Sequence, residues 1–180
     1  MANILTAARI LLILPFAAMF FINAAWGLKA AFVIFVIASL TDFLDGWVAR
    51  ARGETSALGA ALDPIADKLL VAAALLLLTR NGVIHDAGVA GALTILLREI
   101  LVGGLREALA AKGVALPVTG LAKAKTTVQL VGLGLLIAAA PGGLGGPELR
   151  PIAAGVFWLA VILTLWTGAA YTRRAINALR

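Results

Sequence analysis

Cysteine is absent from the 180-residue chain, and histidine occurs once, as His85. Disulfides and thiolate metal sites are therefore excluded, so any metal must be held by oxygen ligands or by that histidine. Charged residues are also scarce, at 13% of the chain, whereas hydrophobic residues make up 62%. A mean hydropathy of +1.04 is far above that of an ordinary soluble domain. The composition therefore predicts a protein of the lipid bilayer.

The net charge of +6 does not indicate nucleic-acid binding, because the basic residues separate hydrophobic runs instead of forming one stripe with aromatics. A spanning helix needs roughly 20 mainly apolar residues. Six stretches qualify, at 7–26, 29–50, 60–80, 87–110, 121–140 and 152–172. We therefore predict an all-α integral membrane protein with six transmembrane helices in a single domain, residues 1–180.

Positive charge is distributed unevenly between the two sides of these spans. Nine basic residues fall on one side: Arg9, Arg50, Arg52, Lys112, Lys123, Lys125, Arg173, Arg174 and Arg180. Only three fall on the other side: Lys29, Arg80 and Arg150. Short cytoplasmic loops retain positive charge, so both termini are predicted to be cytoplasmic. The first apolar segment lacks the basic leader and cleavage site of a signal peptide, and we expect it to remain in the protein.

Four aspartates lie in or beside the second and third spans: Asp42, Asp45, Asp63 and Asp67. A charge inside the bilayer costs at least ~2.5 kcal/mol, so the cluster indicates a function. On a helix turning about 100° per residue, the first pair shares a face with Gly46, Ala49 and Arg50. The second pair continues a stripe from Gly59 at four-residue intervals. The short link at 51–58 favours antiparallel neighbours whose acidic faces form one pocket.

Four carboxylates in a low-dielectric pocket require compensating positive charge. Oxygen ligands favour Mg²⁺ or Mn²⁺, and two such ions about 3.5–4 Å apart can stabilise both the attacking and the leaving oxygen of a phosphoryl displacement. Small residues on the same stripes leave room for a bulky ligand, and Arg50 can reach a phosphate. Two alternatives stay open. The acids can pair with Arg50, Arg52 and Lys68 at a helix end, or they can line an ion pathway, as in a cation transporter.

From Asp42 to Asp67 the chain reads D-x2-D-G-x2-A-R-x8-G-x3-D-x3-D, and this spacing resembles the signature of the CDP-alcohol phosphatidyltransferase family. The resemblance implies that an acceptor hydroxyl attacks the β-phosphorus of a CDP-linked lipid and that CMP leaves. It implies aspartates that bind metal, with Asp67 also acting as general base. It places Gly46, Ala49, Arg50 and Gly59 at the CDP pocket, and it implies a homodimer.

Looser segments resemble the bacterial branch of that family. This branch uses CDP-diacylglycerol and sn-glycerol 3-phosphate to form phosphatidylglycerophosphate at the cytoplasmic face of the inner membrane. The segments are 3–9, 98–107, 123–129 and 163–171. Thr6, in the first of them, is a candidate CDP-lipid ligand, although with Arg9 it can instead mark an interfacial helix start.

Four basic residues are candidate ligands of the acceptor's phosphate: Arg98, Arg106, Lys123 and Lys125. Arg98 lies midway through a span, where a phosphate dianion would offset its charge, and the two lysines lie at a helix N-terminus, which attracts anions. Each has an alternative explanation. Arg98 can pair with Glu99 or Glu107, and Arg106 can extend its charge to the membrane interface. The two lysines can belong to the positive charge that cytoplasmic loops generally retain. Another acceptor, such as inositol phosphate, serine or phosphatidylglycerol, also stays open. His85 is expected to be a solvated loop residue.

Overall fold

The computed structural model describes residues 2–24, 26–52 and 57–178, with side chains at 8–24, 26–41, 62 and 65–178. These residues form six helices and no strand, so the prediction of an all-helical chain is confirmed. The helices are α1 (Ala2–Met19), α2 (Gly27–Arg52), α3 (Ala57–Arg80), α4 (Ala87–Ala110), α5 (Gly120–Ala139) and α6 (Leu149–Ala178). Each corresponds to one of the six predicted stretches.

The largest differences from the predicted bounds lie at the two ends of the chain. Helix α1 ends at Met19 instead of residue 26, and α6 continues to Ala178 instead of ending at 172. Hydropathy marks only the apolar part of a helix. The last turns of α6 contain Arg173 and Arg174, which lower hydropathy although arginine is a good helix former.

Glycines with positive φ end two of the helices. Gly82 (φ 68°) follows α3, and Gly113 (φ 75°) follows α4. After α4, the N–H of Val114 donates to the carbonyl of Leu109, and the N–H of Gly113 donates to the carbonyl of Ala110, both at 2.9 Å. This is the Schellman arrangement, which satisfies carbonyls at a helix end and favours glycine. It turns the chain sharply towards α5.

Three of the described helices, α4, α5 and α6, are long and apolar enough to cross a membrane. Two shorter apolar segments occur at Ala8–Met19 and Gly27–Thr41. Large apolar side chains point outwards, including Leu14 and Trp166, both 70% exposed. Extensive apolar surface is unusual on a soluble monomer but suits contact with lipid. These features fit a membrane protein.

Aromatic and aliphatic side chains fill the interior between the helices. Phe16 of α1 packs edge-on against Phe20, with ring centroids 5.3 Å apart, and lies 5.8 Å from the ring of Phe35 in α2. Helix α5 packs against α2, α3 and α6, while α1 packs against α2 and α3. At Gly132 of α5, an added Cβ would lie 3.3 Å from the backbone nitrogen of Phe157. The close α5–α6 approach therefore depends on a small residue.

Candidate active site

Polar side chains from α1, α3, α4, α5 and α6 meet at one end of the bundle, beside the segment that joins α4 to α5. The predicted aspartates lie on the two helices expected to carry them, Asp42 and Asp45 on α2 and Asp63 and Asp67 on α3. Of the four, only the side chain of Asp67 is described. Within the described side chains, no three acidic, histidine or cysteine groups come together as a metal site. Convergence of the four carboxylates therefore stays a prediction.

The predicted CDP-lipid ligands also lie outside the described side chains. Their backbones fall on three helices: Thr6 on α1, Gly46, Ala49 and Arg50 on α2, and Gly59 on α3. His85, by contrast, is fully described and lies in the α3–α4 loop at the opposite end of the bundle. Its ring is 71% exposed and its Nδ1 lies 2.8 Å from Oδ2 of Asp86. The prediction of a solvated loop histidine is confirmed.

Asp67 contacts Arg9 across the α1–α3 interface. Oδ1 of Asp67 lies 3.2 Å from Nη1 of Arg9, and the arginine side chain is only 1% exposed while the aspartate is 45% exposed. A charge-assisted hydrogen bond of this kind restricts a carboxylate's orientation. Arg9 is therefore a buried part of the site and not an interfacial helix start, and Asp67 keeps nearly half of its side chain accessible.

Arg98 of α4 is surrounded by polar groups from two helices. Its Nη2 donates to Oγ1 of Thr167 at 3.2 Å, and its Nη1 lies 3.6 Å from Oε1 of Glu99. The alternative pairing of Arg98 with Glu99 is thus present, although at a long distance. Nε of Arg98 is buried and donates no hydrogen bond within the described part of the chain. An unsatisfied buried donor is costly.

Lys125 of α5 is 2% exposed, so it is not an ordinary surface charge. Its ammonium group forms a salt bridge with Glu99 and donates to Oε1 of Gln129 at 3.1 Å. Glu99 therefore lies between two cations, Arg98 and Lys125, and connects α4 to α5.

Arg106 and Lys123, the other two predicted phosphate ligands, are exposed. Arg106 lines a cavity of about 380 Å³ between α3, α4 and the α4–α5 segment, together with Lys68, Arg98, Glu99 and Glu107. This volume is within the range of roughly 300–1,000 Å³ usual for small-molecule sites. The cavity brings Arg98 and Arg106 together, whereas Lys123 is not among the residues that line it.

Tyr171 of α6 holds the α4–α5 segment in place. The N–H of Thr119 donates to the tyrosine hydroxyl at 3.0 Å, and the hydroxyl donates to the carbonyl of Pro117 at 3.0 Å. Thr119 in turn caps α5, accepting from the N–H of Ala122 at 3.2 Å. The guanidinium carbon of Arg98 lies 5.8 Å from the centre of the tyrosine ring. Tyr171 therefore links the start of α5 to the polar cluster.

Five candidates were not assigned to the site from sequence: Lys68, Glu99, Gln129, Thr167 and Tyr171. Lys68 and Glu99 entered only as pairing partners, and the other three only within segments of loose family resemblance. A signal was available for two of them, because acidic and amide side chains inside apolar helices are expensive and usually functional. Tyr171 gave no such signal, since its role depends on contacts between distant segments.

Known proteins are similar to this chain along most of its length. The model of the CDP-alcohol phosphatidyltransferase family matches residues 1–166. A protein of Rickettsia typhi (strain ATCC VR-144 / Wilmington) is 40% identical over 169 residues, which cover 94% of this chain and 93% of the relative. A protein of Escherichia coli (strain K12) is 37% identical over 178 residues, with 96% and 93% covered. Both relatives are named CDP-diacylglycerol--glycerol-3-phosphate 3-phosphatidyltransferase.

Proposed function

Because the chain belongs to the CDP-alcohol phosphatidyltransferase family, we propose that it transfers the phosphatidyl group of CDP-diacylglycerol to sn-glycerol 3-phosphate, giving phosphatidylglycerophosphate and CMP. The names of the two relatives support this acceptor. The observation that carries the proposal is the group of basic side chains, Lys68, Arg98 and Arg106, that lines the cavity between α3 and α4. They outnumber the two carboxylates of that cavity, so a phosphate monoester would be better matched there than a neutral acceptor.

The phosphatidyl donor would bind beside α2 and α3. In this proposal, carboxylates from both helices hold Mg²⁺ or Mn²⁺, with two ions per site: Asp42, Asp45, Asp63 and Asp67. Their donor set fits, because these cations prefer oxygen ligands and the chain has no cysteine. When bound, the metal neutralises charge that develops on the phosphate oxygens. Five residues of α1, α2 and α3 would contact the CDP-lipid: Thr6, Gly46, Ala49, Arg50 and Gly59.

Asp67 would take the proton from the acceptor's attacking hydroxyl. A carboxylate within hydrogen-bond reach of that proton suits general-base catalysis. Arg9 supports this role, since its guanidinium holds Oδ1 of Asp67 at 3.2 Å. On this account Arg9 positions Asp67 and does not itself touch the reacting atoms.

The acceptor's phosphate would lie among the basic residues of α4 and α5, namely Arg98, Arg106, Lys123 and Lys125. Arg98 has the strongest physical case, because its largely buried side chain lines the cavity. Lys125 lies deeper, behind Glu99, and contributes charge even where it makes no direct contact. Phosphoryl transfer depends mainly on positioning and charge neutralisation, and this arrangement provides both on the acceptor side.

The membrane topology follows from the same proposal. The six helices would form one transmembrane domain over residues 1–180, with both termini and the polar end of the bundle in the cytoplasm, in a bacterial inner membrane. The polar end contains the α4–α5 segment and the basic residues that favour a cytoplasmic location. Lipid tails would enter sideways from the bilayer, and two chains would form a homodimer.

An acceptor panel tests the proposal. Purified protein with CDP-diacylglycerol and Mg²⁺ or Mn²⁺ is expected to release CMP with sn-glycerol 3-phosphate, and to release little with serine, inositol phosphate or phosphatidylglycerol. Chelation of the metal should stop release, and adding it back should restore release. A strong preference for an uncharged alcohol would contradict the assigned acceptor. Absence of CMP release with every acceptor would instead favour the cation transporter.

A further inference from the structure

Lys68 follows Asp67 on α3 but faces a different helix. Asp67 contacts Arg9 of α1, whereas the ammonium group of Lys68 lies against Gly103 of α4. Consecutive residues on a helix are about 100° apart, which explains how α3 presents its carboxylate to one side and its cation to the other. Lys68 is therefore not simply the counter-ion of the adjacent aspartate.

The position of Lys68 depends on a glycine. A Cβ added at Gly103 would clash with Nζ of Lys68 and would lie 2.8 Å from its Cε. At Gly104, the next residue, an added Cβ would meet nothing within 4 Å. The missing side chain at Gly103 thus makes the space that the lysine occupies, and Gly104 has no such role.

Lys68 contributes to a cluster with an excess of positive charge. It forms no salt bridge with any side chain that the structure describes. Three cations line the cavity, Lys68, Arg98 and Arg106, against two carboxylates, Glu99 and Glu107, and Glu99 also pairs with the buried Lys125. The cavity lining therefore carries a formal excess of one positive charge. An anion such as a phosphate monoester would complement that excess.

We propose that Lys68 is a direct ligand of the acceptor's phosphate and that Gly103 leaves the space from which its ammonium group reaches the cavity. This inference rests on the proposed function, and it adds a residue from the aspartate-bearing helix to the acceptor site. Lys68 then holds the bound phosphate near Asp67, because the two residues are adjacent on one helix. Positioning of this kind is a main source of rate in phosphoryl transfer.

A double-mutant cycle tests the proposal, with Lys68→Ala, Gly103→Ala and both changes together. Each single change is expected to raise KM for sn-glycerol 3-phosphate about tenfold, the loss of one charge-assisted hydrogen bond. The double variant should be no worse than either single variant, because Gly103→Ala acts only by displacing the lysine. KM for CDP-diacylglycerol should not change. Gly104→Ala is the matched control and should resemble the unaltered protein.

Competition by inorganic phosphate gives a readout that a structural role would not move. Phosphate should inhibit competitively against sn-glycerol 3-phosphate, and Lys68→Ala should raise its inhibition constant about tenfold as well. Lys68→Gln, which keeps most of the side chain, should act in the same direction and serves if the alanine variant does not fold.

The outcomes separate the inference from the function on which it rests. If the unaltered protein uses sn-glycerol 3-phosphate but the lysine variants keep its KM and phosphate inhibition, Lys68 is not a phosphate ligand. Additive effects in the double variant would show that Gly103 acts independently of Lys68. If the unaltered protein does not use sn-glycerol 3-phosphate, the proposed function is wrong and the inference is lost with it.

Discussion

The two ends of the helix bundle bury different kinds of side chain. Near the α4–α5 segment the interior contains Arg9, Lys125 and Gln129, each no more than 2% exposed, whereas Phe16 and Phe35 are buried to the same extent in the apolar core. A buried charge is costly unless it is paired, and even pairing seldom gives a net gain in stability. On the proposed function, the polar end serves binding and chemistry, whereas the aromatic end serves packing. Substitutions at the polar end should therefore reduce activity, and substitutions at the aromatic end should reduce stability.

The largest effect is expected at the polar end, from Asp67→Asn. The amide can still accept a hydrogen bond from Arg9, so the variant should fold, insert and bind the CDP-lipid. It cannot accept the hydroxyl proton, and loss of a general base typically costs about 10²–10⁴-fold in rate. Steady-state CMP release should fall by that factor while binding of CDP-diacylglycerol is retained. Near-normal turnover would remove Asp67 as the base.

Asp86→Asn is the matched control for that change. Asp86 lies at the opposite end of the bundle, its side chain is 89% exposed, and its backbone has φ 46°. Asparagine has almost the same size and shape as aspartate, and Asp86 makes no side-chain cap hydrogen bond to α4, so the fold should not be disturbed. Full activity in Asp86→Asn would show that removing a carboxylate matters only at the polar end. An equal loss of activity in both variants would show that the two ends of the bundle do not differ in this respect.

Phe16→Ala should give the reverse pattern. Phe16 is 0% exposed within the aromatic cluster of α1 and α2, and truncating a buried phenylalanine costs about 3–5 kcal/mol in soluble proteins. The free energy of unfolding, followed by thermal unfolding in detergent, should fall. KM for both substrates should stay unchanged in the folded fraction. Leu14→Ala, on the outward face of the same helix, should have little effect on either quantity.

The features that could be predicted from sequence are those that depend on the local pattern of residues along one helix. The bounds of α4 match the predicted span, and the spacing of Asp63 and Asp67 along α3 follows from helical periodicity. The salt bridge from Lys125 to Glu99 joins residues 26 positions apart, and the hydrogen bond from Thr119 to Tyr171 joins residues 52 positions apart. Such contacts depend on how helices pack, and no local pattern encodes them.

The smallest effect should come from Tyr171→Phe, which tests whether the polar end relies on a contact outside the site. The change removes the hydroxyl that accepts from Thr119 and donates to Pro117. It keeps the ring beside Arg98. A hydrogen bond of this kind contributes about 1 kcal/mol net, so KM for sn-glycerol 3-phosphate should rise by roughly fivefold, with kcat almost unchanged.

The physical reason for this small effect is looser positioning of the segment that leads into α5. Without the tyrosine hydroxyl, that segment should open more often, and trypsin should cleave after Lys112 faster than in the unaltered protein. Trp158→Phe, at an exposed aromatic of the same helix, should change neither KM nor cleavage. A raised KM without faster cleavage would place the effect in the ring's contact with Arg98. Faster cleavage with an unchanged KM would show that the acceptor site does not depend on how α5 begins.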